Sequence, residues 1–159
     1  MDWTTLLFSF QGRINRAKYW LVGLLYIAVW IVFGILAIVW LGGVDPDQLF
    51  RFAGGAVLIW LVAIALVVAG TWSGFATGVK RLHDRGKSGW WILLFWLGPS
   101  LGGGSTSAMQ DGGGTSLVLS LIGAGIAIWG FVELGCLRGT RGPNQYGPDP
   151  LEPQGTPSA

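Results

Sequence analysis

The densest run of chemically capable side chains is Lys80-Arg81-Leu82-His83-Asp84-Arg85-Gly86-Lys87-Ser88-Gly89, followed directly by Trp90-Trp91. Gly86-Lys87-Ser88 imitates the end of a phosphate-binding P-loop. The first glycine of that motif would fall at position 81, which is Arg81, and no strand precedes it, so a nucleotide cradle is excluded. His83 beside Asp84 has a side-chain pKa suited to general-base work. No nucleophile or oxyanion site accompanies it, so a membrane-embedded enzyme is the weakest reading. What remains is a short basic loop pinned to an interface by two tryptophans. Such a loop attracts anionic head groups, at about 1 kcal/mol per basic residue near the surface. For Lys80 and Lys87 the plainer role is to fix topology.

The other reactive side chains are few. Glu133 is the only acid inside a long apolar stretch, near its end and five residues before Arg138. An ion pair with an arginine is its expected role, and a proton relay the alternative. The single cysteine, Cys136, excludes an internal disulfide, and the single histidine excludes a His-rich metal cage. The two together cannot close a zinc site without several carboxylates. The expectation is a protein with no catalytic residue, no metal and no cofactor.

These side chains must be positioned by an unusual chain. Of its 159 residues 52% are hydrophobic and only 11% charged, against about 25% charged in ordinary soluble domains. That composition excludes a disordered chain, a collagen-like chain and almost any soluble fold. The 27 glycines and 10 tryptophans suit membrane helices, glycine for close packing and tryptophan at the interfaces.

Three stretches are long enough to cross a bilayer as helices: 19–41, 52–79 and 117–137. A fourth, 90–101, is apolar but short and interrupted by Gly98-Pro99. If it crosses, nine of the ten basic residues fall on one side, as the positive-inside rule requires, with both termini cytoplasmic. The fold expected is therefore an all-α integral membrane protein. It is a four-helix transmembrane bundle with a short third helix, forming one membrane domain over residues 1–150. No cleavable signal peptide is visible, and the first span reads as a signal anchor.

Between the spans, Trp3, Leu6, Leu7 and Phe10 form one apolar stripe at helical spacing. With Arg13 and Arg16 following, they predict a short N-terminal interfacial helix, the alternative being a frayed terminus. Asn15 is the expected N-cap of the first span. Residues 102–116 read as a flexible Gly/Ser tether, and residues 151–159 as a disordered tail. Gly70, Gly74 and Gly78 make a smooth groove on the second span, for packing against span one or four, or alternatively for dimerisation. Trp30, Trp60 and Trp129 lie near mid-span and are expected to pack between helices.

Three blocks carry a resemblance. They are Phe10-x-Gly12-Arg13-x-x-Arg16-x-x-Tyr19-Trp20; Arg81-Leu82-His83-Asp84-x-Gly86-x-Ser88-Gly89-Trp90-Trp91; and Gly139-x-x-Gly142-x-Asn144-x-Tyr146-Gly147-x-Asp149-Pro150. In this order they resemble the DUF805 family of small bacterial inner-membrane proteins. The resemblance implies an inner-membrane location and a compact helical unit, and implies no activity.

All three blocks fall on the side assigned as cytoplasmic. Arg13, Arg16, Arg81, His83, Asp84, Arg85, Asn144, Tyr146 and Asp149 are therefore expected to meet in one polar layer. Asp149 or Asp84 should pair with Arg13, Arg16, Arg81 or Arg85, holding Asn144 to Pro150 against the bundle. The function expected is a non-enzymatic module whose basic layer binds anionic lipid head groups or a protein partner. The alternative is a subunit of a small oligomeric transporter or channel. Membrane lipids, a second copy or another membrane protein are the partners in view; nucleic acid is not.

Overall fold

The structure is a computed structural model that describes residues 2–42, 49–102 and 114–152. Most of the expected 102–116 tether, and the tail beyond residue 152, lie outside those residues. Helix α1 spans Trp3–Phe8, and the Asp2 carboxylate caps it by accepting from the Thr4 N–H at 3.0 Å. Helix α2 spans Arg16–Gly42. It starts three residues before the apolar run because Asn15 Oδ1 accepts from the Lys18 N–H at 2.9 Å, satisfying one of the free donors of a helix start.

Helix α3 spans Leu49–Asp84, so it runs past residue 79 through the basic run. Residues 80–84 are the last helical turn and not a loop. Hydropathy ends at Val79, but nothing breaks the backbone until Gly86, at φ +69°. There the Lys87 N–H bonds Leu82 O at 2.9 Å and the Gly86 N–H bonds His83 O at 3.0 Å. This is a Schellman closure, which needs a left-handed residue and so favours glycine.

Helix α4 spans Trp91–Leu97 and passes into a 3-10 helix, Gly98–Gly102. Helix α5 spans Gly114–Phe131 and finishes in a π-helical turn, Val132–Cys136. Among the described residues, three helices are long and apolar enough to cross a membrane: Arg16–Trp40, Gly54–Asp84 and Leu117–Cys136. Their outer faces carry Leu24, Ile31 and Leu61 at 58–59% exposure, a surface suited to hydrocarbon and not to water.

The buried side chains gather at one end. Leu82, Ile92, Phe95 and Leu134 form one cluster where α3, α4 and α5 meet, and Leu6, Ile14 and Val22 a second beneath α1. The glycine stripe of α3 packs inside the chain. A Cβ at Gly70 would lie 3.5 Å from Tyr26 of α2, and one at Gly74 3.2 Å from Trp96 of α4. Gly78 faces Ile92. The partners are thus α2 and α4, not the last span. Trp129 packs on Trp91 and Phe95 as a mid-span tryptophan should. Trp60 does not: at 70% exposure it points outward.

Candidate functional site

The end where the core sits is also where the charges converge. Gly12, at φ +86°, turns the chain so that Arg13 precedes α2 and reaches the end of α3. Arg13 Nε lies 3.1 Å from Asp84 Oδ1, and Arg81 Nη1 donates to Asp84 Oδ2. The three side chains are 1%, 0% and 2% exposed. Two cations on one carboxylate leave a net positive charge buried, and burying an ion costs several kcal/mol after relaxation, roughly. Such a cluster persists only when the remaining donors are satisfied.

Backbone carbonyls satisfy them. A helix end leaves its last carbonyls without partners, and the π-helical turn of α5 presents such groups in a row. Arg81 Nε donates to Leu134 O at 2.8 Å and Arg81 Nη2 to Leu137 O. Trp20 Nε1 donates to Gly135 O at 3.0 Å, and Arg16 to Cys136 O at 3.2 Å. Arg85 donates to Arg138 O at 2.5 Å. Cations at a helix C-terminus also oppose its dipole. Five consecutive carbonyls, 134–138, thus each meet a side-chain donor from α2 or the end of α3.

Arg13 does the same for the segment after α5. It donates to Thr140 O at 2.7 Å, Gly142 O at 2.8 Å and Gly147 O at 3.1 Å. The Thr140 N–H returns a bond to Asp84 O at 2.8 Å. Asn144 Nδ2 donates to His83 O at 2.9 Å, and the Tyr146 ring stacks on His83 with centroids 3.9 Å apart. His83 Nδ1 lies 3.3 Å from Gly12 O. Residues 140–147 are therefore tied to both other blocks.

The pairings fall among those expected, and the structure selects between the alternatives. Asp84 takes the arginines, while Asp149 accepts from the N–H groups of Leu151 and Gly142 at 3.0 and 3.1 Å. Those two donors hold the Asp149 carboxyl below the usual range. Glu133 pairs with Arg85 at 3.0 Å and Lys87 at 3.1 Å. Arg138, its neighbour in sequence, contributes a carbonyl instead.

Lys80, Gly139 and Thr140 do work that the sequence did not assign to them. Lys80 Nζ donates to Thr5 O at 2.8 Å and Leu6 O at 2.5 Å, clamping the C-terminal end of α1 onto α3. A Cβ at Gly139 would overlap the Asp84 carboxylate, so only glycine lets that segment pass. Unpaired carbonyls at the end of a span, matched with an excess of arginine on the same side, are the signal that could have found this arrangement.

Arg13 and Arg81 are thus spent inside the protein, and the exposed arginines of the layer are Arg16, Arg138 and Arg141. Arg16 and Arg138 flank a cavity of about 330 Å³ that also touches Asn15, Asp84, Gly139 and Asp149. Its charged lining is two arginines and two aspartates, and one of those aspartates, Asp84, is already neutralised by Arg13 and Arg81. Among the described residues, no group of three His, Cys, Asp or Glu side chains is placed to hold a metal ion.

Residues 7–148 match the model of DUF805, a family described as proteins of unknown function. Three relatives come from Escherichia coli K12. The uncharacterized protein YiiR is 34% identical over 143 residues, 90% of this chain and 86% of its own. The inner membrane protein YhaH is 30% identical over 158 residues, 96% of this chain and all of its own. The inner membrane protein YhaI is 28% identical over 142 residues, 89% and 86% respectively. No solved structure matches.

Proposed function

The chain belongs to the DUF805 family, and we propose that it is a non-enzymatic inner-membrane module whose cytoplasmic basic layer holds an anionic lipid head group. The membrane setting follows from the apolar helices and from relatives named as inner membrane proteins.

Four crossings with both termini cytoplasmic suit the direction of each helix. Helix α2 leaves the layer at Arg16, α3 returns to it at Asp84, and α5 ends there at Cys136. For α5 to run toward the layer, the chain between Asp84 and Gly114 must first reach the far side. Helix α4 with its 3-10 extension rises about 20 Å of the roughly 30 Å of hydrocarbon. The basic residues then mark the layer as cytoplasmic.

The observation that carries the head-group reading is the cavity between the exposed Arg16 and Arg138 at the end of the apolar spans, where Asp84 is already paired with Arg13 and Arg81. Its guanidiniums offer planar donors suited to phosphate oxygens. Replacing both arginines by glutamine removes about 2 kcal/mol of surface attraction, roughly a thirtyfold loss of affinity. The test counts phosphatidylglycerol retained by the purified protein, by native mass spectrometry of Arg16→Gln, Arg138→Gln against the unaltered chain. Retention should collapse in the variant, and equal retention would remove the reading.

A further inference from the structure

A second cavity, of about 450 Å³, opens one helical turn from the head-group cavity. Its walls run from Tyr19 to Trp30 on α2 and from Leu66 to Thr77 on α3, with Trp96 and Phe131 behind. Each wall covers 12 residues, about 16 Å of helix from first to last. That is the depth of one leaflet, half of the roughly 30 Å hydrocarbon core. Three of the polar side chains beside the cleft are occupied. Thr77 Oγ1 donates to Ser73 O at 2.7 Å, Tyr26 Oη to Ala69 O at 3.4 Å, and Trp20 Nε1 to Gly135 O at 3.0 Å. The lining is mostly carbon and holds no charged side chain, which fits a hydrocarbon chain better than an ion.

We infer that this cleft holds one acyl chain of the phospholipid whose phosphate sits between Arg16 and Arg138. The inference rests on the head-group reading and adds to it the ligand's class, a diacyl anionic phospholipid bound at a single place. Continuity supports that ligand. Trp20 and Gly135 close the cleft toward the layer, and Arg16 and Cys136, next along the same two elements, are joined at 3.2 Å. An amphiphile with its charge in the layer therefore has its chain at the mouth of the cleft.

Gly23 makes a clean test. It lines the cleft, and a Cβ there would meet nothing within 4 Å. Gly23→Leu therefore adds bulk to the cleft from a position whose Cβ has open space and replaces a poor helix former. Gly34, on the same helix and also open, lies outside the lining, so Gly34→Leu is the matched control. Native mass spectrometry of the full chain with phosphatidylglycerol should show one retained lipid in the unaltered protein and in Gly34→Leu. Gly23→Leu should retain at least tenfold less, and glycerol phosphate, the head group without chains, should not displace the lipid. Retention unchanged by Gly23→Leu but lost in Arg16→Gln, Arg138→Gln overturns the cleft and leaves the head-group reading standing. Loss in Gly23→Leu with none in the arginine variant overturns the head-group reading and the anionic ligand with it. Displacement by glycerol phosphate also overturns the chain site.

Discussion

Asp84→Asn is expected to cost about 3–5 kcal/mol of stability and to release the segment after α5 from the bundle. The substitution keeps the shape of the side chain and removes its charge. It leaves the guanidiniums of Arg13 and Arg81, 1% and 0% exposed, without a counter-charge in a place where water cannot replace it. The amide would also turn a donor toward one guanidinium. Stripping one partner from a buried ionic cluster is far more damaging than never having built it. Glu133→Gln is the internal comparison. Its partners Arg85 and Lys87 are 25% and 33% exposed, so solvent screens their loss and the cost should stay near 1 kcal/mol, roughly. Thermal unfolding in detergent, read by tryptophan fluorescence, ranks the two. A larger drop for Glu133→Gln would show that the Asp84 cluster is not the main tie.

The second large effect is expected at Gly139. A methyl group there lands on the Asp84 carboxylate, which cannot swing away because Arg13 and Arg81 hold both oxygens. Overpacking of this kind costs about 1–3 kcal/mol, and the upper end applies because the obstacle is pinned. Gly139→Ala should therefore loosen residues 140–150 and leave the spans folded. The check is a double-mutant cycle. In an Asp84→Ala background the obstacle is gone, and Gly139→Ala should add almost nothing. Additive costs would place the problem of Gly139→Ala in the backbone and not in the carboxylate.

The sequence made the spans legible for a simple reason. Hydrocarbon demands a long charge-free helix, and Asn15 and the apolar runs state that demand in residue types. The end of α3 was less legible. Hydropathy marks where lipid stops, whereas the helix stops where Gly86 adopts a left-handed conformation. The convergence of the three blocks on one side was readable from topology alone. The role of Arg81 was legible only in part, its pairing with Asp84 being among those expected and its carbonyl acceptors not. A basic residue beside tryptophans looks like a lipid contact, and its real acceptors are Asp84 and the carbonyls of Leu134 and Leu137. Backbone carbonyls exist at every position, so the only signal in the residue types is the excess of arginine on the side where α5 ends. Glu133 shows the same blindness. Arg138 is close in sequence, but Arg85 and Lys87 reach Glu133 from the turn that follows α3. Trp60 was expected inside and faces out because a membrane helix gains no more by burying a tryptophan in protein than by leaving it in lipid.

The joining of the first, second and third blocks into one layer is tested most directly by amide hydrogen exchange at Thr140, measured in a lipid bilayer. Its N–H donates to Asp84 O at 2.8 Å and sits beneath Arg13. It is expected to exchange slowly, in company with the Leu82 amide inside α3, and to become fast in Asp84→Asn. Exchange at the rate of a free peptide in the unaltered protein, with Leu82 still protected, would mean that the segment after α5 is not docked and that no shared layer exists.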